Sequence, residues 1–347
     1  MITKKYKILI TGGAGFIGSN LVDHFLSLGH KIVCLDDLST GFEKNISHHF
    51  DKPEFQFIKG DIRNLKTCKK AAKGCDYVLH QAALGSVPRS IKDPINTNSV
   101  NIDGFINILV AARDQNVKRF VYAASSSTYG DSKKLPKVEA EIGKPLSPYA
   151  ITKYVNELYA EIFAKTYKMQ CIGLRYFNVF GKRQTPDGAY AAVIPLWVKK
   201  LIKKENTVIN GDGSYSRDFT YIENVIQANE LALFTSNEQI AKGQKAYYAK
   251  KNESHEESDL YISEVFNTAF GGNTNLIQLF GAIRNNLAKF DKDIKETEPK
   301  FGPFRAGDIP HSQASVEKAK TIIGYNPKYD ASTGFEKACE WYFENLK

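Results

Sequence analysis

The stretch TGGAGFIG, residues 11–18, decides the fold that this sequence predicts. An apolar run, Tyr6–Thr11, precedes it as a candidate strand, and Phe16–Leu28 follows with helical spacing. Glycine suits this turn because a tight bend and a closely approaching pyrophosphate leave no room for Cβ. Asp36, at the end of the next apolar run, suits the hydroxyls of an adenosine ribose and repels a 2′-phosphate. The context therefore predicts a dinucleotide site that favours NAD over NADP.

Short apolar runs alternate with helical patterns through the first 180 residues. The further candidate strands are Lys31–Asp36, Glu54–Lys59, Tyr77–His80, Arg119–Ala123 and Gln170–Phe177, and the longer candidate helices are Pro94–Gln115 and Pro148–Tyr167. Such alternation is typical of a parallel sheet that helices cover on both faces. We therefore predict an α/β fold: a Rossmann-type, doubly wound parallel sheet with a smaller, mixed α/β substrate-binding domain.

The regular alternation weakens after about Gly181, where loops rich in Gly, Pro and Asp appear. We assign residues 1–180 to the NAD-binding domain, with part of 218–270 returning to it. Residues 181–217 and 271–347 are assigned to the substrate-binding domain. The segment Ile240–Ser263 is polar, charged and poor in apolar residues, so we predict a mobile surface loop or a short disordered insertion there.

The composition excludes several classes of protein. No run of about 18 apolar residues is present, so no membrane insertion is expected. The net charge of +9 comes from dispersed lysines without a nucleic-acid-binding pattern, so no nucleic acid partner is expected. The 5 cysteines and 7 histidines show neither disulfide nor metal-ligand spacing. We therefore expect a cytoplasmic location and no metal site.

A tyrosine and a lysine in SPYAITKYVNE form a candidate catalytic pair. Ser147 and Pro148 make a plausible helix start, which places Tyr149 and Lys153 one turn apart on one face. An ammonium group and a positively charged nicotinamide would stabilise the phenolate, so that Tyr149 could act as a base. A tyrosine and a lysine four residues apart usually belong to an exposed helix face. Here the pair is a catalytic candidate because the dinucleotide motif lies upstream of it.

Other polar and small residues follow the predicted strands. The serine run of AASSSTYG, residues 123–130, could polarise the same substrate hydroxyl, because a hydroxyl both donates and accepts; the alternative is a polar loop. Asp61 in KGDIRN could meet the adenine amino group or be a solvated turn residue. Ala82 and Ala83 in HQAA allow the backbone to approach a cofactor, or simply pack.

Seven motifs in this order and spacing resemble the extended short-chain dehydrogenase/reductase family: TGGAGFIG, DDLSTG, GDIRN, HQAA, SSSTYG, SPYAITK and LRYFNVFG. The resemblance covers nearly the whole chain. Within that family, HQAALGSVPRS, RYFNVFGKRQTPDGAYAAVIPLW, NGDGSYSRDF and FRAGDIPHSQA look like the UDP-N-acetylglucosamine 4-epimerases of surface-polysaccharide synthesis. The resemblance implies reversible C4 epimerisation of a UDP-hexose through a 4-keto intermediate, with NAD as cofactor and a homodimer as the assembly.

Carried over by position, the resemblance assigns roles to individual residues. Tyr149 would be the base and Lys153 its partner, and the catalytic hydroxyl would come from Ser125, Ser126 or Ser127, with Ser125 the first choice. The implied cofactor contacts are Gly12, Gly15, Phe16, Ile17, Gly18, Asp36, Asp61, Ile62, Gln81, Ala82, Ala83, Asn101, Tyr149, Lys153 and Tyr176. The implied substrate contacts are Ser86, Ser125, Tyr149, Asn178, Gln184, Ala192, Val193, Trp197, Arg217, Arg305, Asp308 and Ser312.

Ser312 bears on the choice of sugar. The resemblance implies that this position is a tyrosine in epimerases restricted to the non-acetylated sugar. A serine leaves room for a 2-acetamido group, which favours UDP-GlcNAc and UDP-GalNAc. UDP-glucose and UDP-galactose, or the uronic acid forms of the acetylated sugars, remain as alternatives. A 4,6-dehydratase would need an Asp–Glu pair where this chain has Ser126–Ser127. A UDP-glucuronate decarboxylase and a non-catalytic NAD-binding protein are further rivals.

Overall fold

The computed structural model describes residues 4–187, 191–251, 260–304 and 309–346. The strands in these ranges, numbered along the chain, are β1 (Lys7–Thr11), β2 (Lys31–Asp36), β3 (Phe55–Lys59), β4 (Tyr77–His80), β5 (Arg119–Ser125), β6 (Gln170–Tyr176), β7 (Val179–Phe180), β8 (Val208–Asn210), β9 (Ser216–Arg217), β10 (Thr220–Tyr221), β11 (Ile262–Thr268), β12 (Thr274–Asn275), β13 (Lys300–Gly302) and β14 (His311–Ser312).

The helices of the same ranges are α1 (Phe16–Ser27), α2 (Leu65–Ala72), α3 (Val87–Lys92), α4 (Pro94–Asn98), α5 (Gly104–Asp114), α6 (Pro148–Tyr167), α7 (Val193–Ile202), α8 (Ile222–Phe234), α9 (Asn237–Lys251), α10 (Leu276–Leu287), α11 (Glu317–Ile323) and α12 (Ala331–Asn345). A single π-helical stretch joins α4 to α5, so the long helix predicted there is continuous but irregular. No helix of the described ranges is both long and apolar enough to cross a membrane.

Seven parallel strands form the central sheet, in the order β11-β6-β5-β4-β1-β2-β3. Side chains alternate across the sheet: Ile8 and Ile10 belong to one core, and Leu9 to the other. Helices α1 and α8 pack on the first face, and α2, α5 and α6 on the second. This arrangement confirms the predicted α/β fold, and it brings the carboxyl ends of the strands to one edge, where ligands bind in doubly wound sheets.

Shorter elements lie beyond the central sheet. Strand β9 pairs antiparallel with β12 and parallel with β14, while β8 pairs with β13. Helices α7, α10 and α12 pack against one another beside these strands. Strand β11 is drawn from the later part of the chain and returns to the central sheet beside β6. The predicted domain boundaries stay a prediction.

The loop predicted over Ile240–Ser263 is wrong for the part that the structure describes. Residues 240–251 lie in α9, and Ile262 and Ser263 begin β11. Helix α9 buries Ile240, Gly243 and Tyr247 against α11, where Gly243 meets the backbone of Ile322. Three buried positions, three and four residues apart, suffice for one packed face, so the polar composition belongs to the other face. Residues 252–259 lie outside the described ranges.

Candidate active site

A cavity of about 350 Å³ opens at the carboxyl ends of β1 to β4. Eleven of the predicted cofactor contacts line it: Gly12, Gly15, Phe16, Ile17, Gly18, Asp36, Asp61, Ile62, Gln81, Ala82 and Ala83. They come from four separate strand ends and converge only because parallel strands end at the same edge. The cavity therefore has the position and the lining that a dinucleotide requires.

The glycine turn between β1 and α1 fits a pyrophosphate. Gly12 has φ of +68°, and a Cβ there would lie 2.7 Å from the backbone nitrogen of Ala82. Helix α1 begins after Gly15, and no side chain accepts a hydrogen bond from its first N–H groups. Those N–H groups and the positive end of the helix dipole are suited to bind phosphate oxygens.

Two carboxylates flank this cavity and differ in their surroundings. Asp36 accepts hydrogen bonds from the backbone N–H groups of Ala14 (2.9 Å) and Leu38 (2.8 Å), so its carboxylate is held at the end of β2. Burial raises the pKa of Asp36, and these N–H groups counteract it. Asp61 instead pairs with the guanidinium of Arg63, which lowers the pKa of Asp61. A ribose would therefore meet a fixed acceptor at Asp36. An adenine would have to share the carboxylate of Asp61 with Arg63.

Helix α6 carries the predicted catalytic pair. Ser147 caps the helix by accepting a hydrogen bond from the N–H of Ala150, and Pro148 is its first residue, as predicted. Lys153 is 2% exposed, and its Nζ donates to the carbonyl oxygen of Ala123 at 2.8 Å. Burial lowers the pKa of Lys153 to about 8. The amine is thus anchored to the end of β5 and can lose its proton in a mildly alkaline range.

The structure distinguishes the three serines that follow β5. The hydroxyl of Ser125 contacts the phenol of Tyr149, and this contact lowers the pKa of Tyr149 while burial raises it more strongly. Ser127 donates a hydrogen bond from its own hydroxyl to Oγ of Ser125 at 2.9 Å. Ser126 lies in the following 3₁₀ turn. Ser125 is therefore the serine that meets the Tyr149 phenol, and Ser127 orients the Ser125 hydroxyl.

Asn101 and Tyr176 hold parts of the site together. The side chain of Asn101 is buried; its Oδ1 accepts from the N–H of Leu84 at 2.8 Å, and its Nδ2 donates to Oγ1 of Thr152 at 3.1 Å. This links the loop after β4 to α6. The hydroxyl of Tyr176, at the end of β6, donates to Oε1 of Gln81 at 3.0 Å. Both residues fix the neighbours of the cofactor cavity.

Two further cavities, each of about 360 Å³, continue from the first one. One shares Arg89 and Thr185 with the cofactor cavity, and the predicted substrate residues on its lining are Ser86, Gln184 and Ala192. The second of these two cavities shares Ala191 with the first, and its lining includes the predicted residues Asn178, Val193, Trp197 and Arg217. The three cavities form one cleft along the open edge of the sheet.

Strands β9 and β14 bring two predicted substrate residues together. Ser312 is paired in register with Arg217, whose Nη1 donates to the carbonyl oxygens of Ser216 (2.9 Å) and Pro310 (3.2 Å). The guanidinium is thereby oriented at the border of the second substrate cavity. The predicted contacts Arg305 and Asp308 lie outside the described residues.

Several residues that line or support the cleft were missed from the sequence. Asp218 is buried, and its carboxylate accepts hydrogen bonds from the N–H groups of Gly271 (3.0 Å) and Ala314 (3.2 Å), which joins two loops of the substrate side. An acid within the apolar run after Arg217 was the available signal. The missed lining residues include Arg89, Thr185, Lys200, Asn210, Tyr215, Phe219, Leu276 and Phe304. Nothing local distinguishes these from ordinary surface or core residues.

Three potential metal ligands lie close together beside α1. The Nε2 atoms of His48 and His49 are 3.1 and 2.7 Å from the same oxygen of Asp23, and Nη2 of Arg183 is 2.8 Å from its other oxygen. Hydrogen bonds and an ion pair therefore engage this carboxylate, and they hold the segment before Gln184 against α1. The expectation of no metal site stays a prediction.

Comparisons with known proteins agree with this geometry. The family model described as "NAD dependent epimerase/dehydratase family" matches residues 8–245. A UDP-glucose 4-epimerase of Mycolicibacterium smegmatis is 31% identical over 338 residues, covering 97% of this chain and 98% of the relative.

Solved structures are similar over nearly the full length. A UDP-N-acetylglucosamine 4-epimerase from Methanobrevibacter ruminantium M1, in complex with UDP-N-acetylmuramic acid, has a TM-score of 0.85 and 33% identity, covering 99% of both chains. A UDP-glucuronic acid 4-epimerase from Bacillus cereus, with UDP-glucuronic acid and NAD, has a TM-score of 0.81 and 28% identity, covering 97% of this chain and 99% of that one.

Proposed function

Because this chain belongs to the NAD dependent epimerase/dehydratase family, we propose that it is a UDP-sugar 4-epimerase with a preference for the N-acetylated pair UDP-GlcNAc and UDP-GalNAc. Family membership confirms the predicted cofactor, NAD, and the family resemblance drawn from the motifs. Relatives of similar identity act on glucose, N-acetylglucosamine or glucuronic acid forms by their names, so the choice of sugar depends on the pocket.

The observation that carries the proposal is the cluster of Ser125, Tyr149 and Lys153, formed where β5 ends and α6 begins. Asn101 joins this cluster to the cofactor cavity, because it bonds both Thr152, next to Lys153, and Leu84 of the cavity lining. NAD, when bound, supplies a hydride acceptor that later returns the hydride to the sugar. Tyr149 takes the proton of the 4-hydroxyl, and Ser125 donates to or accepts from the same oxygen. The ammonium of Lys153 stabilises the phenolate. The 4-keto sugar then turns over, and Tyr149 returns the proton on the opposite face.

The substrate side supports tight binding of the UDP group with looser contact to the sugar. Arg217 and Lys200 border one cavity together with the aromatic rings of Tyr215 and Phe304. Cationic side chains suit a diphosphate, and aromatic faces suit a planar base. The sugar must rotate between the two hydride transfers. A clamp on UDP alone permits that rotation while it keeps C4 near the catalytic pair.

Ser312 supports the preference for an acetylated sugar. The residue lies on β14, opposite Arg217 on β9, and its side chain is small and half-buried. A larger side chain here would extend from the strand that orients Arg217. A small residue makes room for an acetamido group, but it does not reject a smaller sugar strongly.

The experiment that tests the proposal measures kcat/KM of the purified protein with UDP-GlcNAc, UDP-glucose and UDP-glucuronic acid in separate assays. We expect the corresponding C4 epimer in each productive assay and the highest kcat/KM with UDP-GlcNAc. A higher value with one of the other sugars would contradict the preference. Loss of water or carbon dioxide from the sugar, or absence of turnover with every UDP-hexose, would contradict the epimerase itself.

The homodimer is also proposed, from an exposed apolar face of α4 and α6. Ile151, Leu158 and Ile162 are spaced along one side of α6, and Ile95 on α4 is 83% exposed beside it. A second copy of this chain can cover such a face symmetrically. We expect the mass in solution to be that of two chains, and Ile162→Glu to reduce it to one chain. A monomeric wild-type protein at micromolar concentration would contradict this assembly.

A further inference from the structure

We propose that Glu157 is a positioning residue of the active site: its buried carboxylate, fixed by Arg175, keeps the amine of Lys153 charged so that it can stabilise the phenolate of Tyr149. The inference deepens the proposed function and rests on it, because it concerns the same catalytic pair. Glu157 touches neither a substrate nor the cofactor cavity lining, and its effect passes through Lys153.

Glu157 lies one turn beyond Lys153 on α6, so the two side chains share a face of the helix. It is 7% exposed, and Arg175 is 4% exposed. The guanidinium binds both carboxylate oxygens, with Nε at 2.9 Å from Oε1 and Nη2 at 2.7 Å from Oε2. Such a forked pair fixes the direction of a carboxylate as well as its charge.

Arg175 is itself held at several points. Its Nη1 donates to the carbonyl oxygen of Glu139 at 3.0 Å, and its guanidinium lies 4.9 Å from the ring centre of Tyr129. On the sheet, Arg175 of β6 is in register with Ala124 of β5, next to the Ala123 carbonyl that receives Lys153. The ion pair is therefore anchored at the strand position next to the one whose carbonyl holds the amine.

The other groups facing Lys153 do not supply a negative charge at neutral pH. His80 on β4 is buried, its Nδ1 is 2.8 Å from Oγ1 of Thr11, and burial lowers the pKa of His80 to about 3, so the ring is neutral. The Ala123 carbonyl is a neutral acceptor, and Tyr149 becomes negative only during the reaction. The carboxylate of Glu157 raises the pKa of Lys153, in opposition to burial.

Burial and the Glu157 carboxylate act on the pKa of Lys153 in opposite directions, so loss of the carboxylate should lower that pKa. With burial dominant, the pKa of Lys153 is about 8, and its ammonium is lost as the pH rises through that value. Without the Glu157 charge, that pKa falls further and the amine becomes neutral at lower pH. A neutral amine no longer favours the phenolate of Tyr149, so the phenol becomes harder to ionise.

The test compares Glu157→Gln with Glu161→Gln, which removes an exposed carboxylate paired with Lys165 on the same helix. The first readout is the pH profile of kcat on the preferred UDP-hexose. We expect the alkaline limb to move down by about one pH unit or more in Glu157→Gln. It should not move in Glu161→Gln. Glu157→Asp, which keeps the charge, should bring the alkaline limb at least partly back to its wild-type position.

The second readout does not need turnover. The near-ultraviolet absorbance of phenolate, taken as the difference between the holoenzyme and its Tyr149→Phe variant, follows ionisation of that phenol. We expect its midpoint to rise in Glu157→Gln. If wild-type protein turned over no UDP-hexose, the proposed function would fail, whereas the phenol titration would still report on Glu157.

A folding defect is the main complication, since Glu157→Gln leaves Arg175 buried without its carboxylate. The double variant Glu157→Gln/Arg175→Gln removes both charges of the ion pair, and we expect it to move the limb and the midpoint in the same directions but by less than the single variant, because the net charge near Lys153 stays the same. Unchanged profiles in a folded single or double variant would overturn the proposal. A lower kcat at every pH with an unmoved limb would also overturn it, because that pattern indicates a purely structural pair.

Discussion

The cofactor cavity and the substrate cavities of this protein are built in different ways. The first is lined by residues that directly follow β1 to β4, and its critical features are backbone features such as the positive φ of Gly12 and the uncapped start of α1. The substrate cavities draw side chains from scattered short segments between Phe16 and Phe304. A rigid backbone cradle suits a cofactor that stays bound, whereas separate side-chain contacts suit a sugar that must turn over.

Tyr149 is the proposed base and serves both regions, so its loss should have the largest effect. We expect Tyr149→Phe to lower kcat by about 10²–10⁴-fold with little change in NAD content, because only the proton transfer is removed. Steady-state kinetics with UDP-GlcNAc measure this. Tyr159→Phe, on an exposed part of the same helix, is the control and should leave kcat unchanged. Near-wild-type turnover by Tyr149→Phe would refute the assignment of the base.

Gly12→Ala tests whether the cofactor side depends on backbone geometry. The new Cβ would have an unfavourable positive φ and would overlap the nitrogen of Ala82, at a cost of about 2–4 kcal/mol. We expect the purified variant to lose most of its bound NAD and to melt at lower temperature. Gly281→Ala in α10 has open space for its Cβ, and should gain about 0.5–1 kcal/mol of stability. Full NAD content in Gly12→Ala would contradict the close approach.

Arg217→Ala tests whether the substrate side depends on individual side-chain contacts. Loss of charged hydrogen bonds to a diphosphate, about 1.5–3 kcal/mol, should raise KM for UDP-sugars by about 10- to 100-fold. NAD content should stay constant, because Arg217 does not line the cofactor cavity. Lys289→Ala, which removes an exposed cation paired with Glu336, is the control. A variant that lost NAD without a change in KM would show that the two regions are not separate.

Ser312→Tyr has the smallest expected effect and concerns selectivity alone. A large side chain on β14 should reduce kcat/KM for UDP-GlcNAc by about tenfold relative to UDP-glucose, because it fills space needed by the acetamido group. General damage to the protein would lower kcat/KM for both sugars, so the ratio of the two kcat/KM values reports on selectivity alone. An unchanged ratio in a folded variant would remove Ser312 as the determinant of sugar size.

Most of the lining of the cofactor cavity could be predicted because its signals are local. Gly12, Asp36 and the start of α6 at Pro148 each show their role through neighbours within a few residues, and the structure has the corresponding turn, strand end and helix start. The insertion was misjudged for the same reason. Its local composition is polar, whereas the packing of α9 against α11 depends on residues some 70 positions away.

The order of strands and helices, the glycine turn, and the Tyr149–Lys153 spacing were determined by sequence alone, because periodicity and backbone sterics act over one or two turns of chain. Only the tertiary structure decided that Ser125 rather than Ser126 meets the phenol, that Asp218 ties two loops, and that Arg175 on β6 fixes the carboxylate of Glu157. Those relations join residues far apart in the chain, and they exist only once packing has removed water and brought their charges within range.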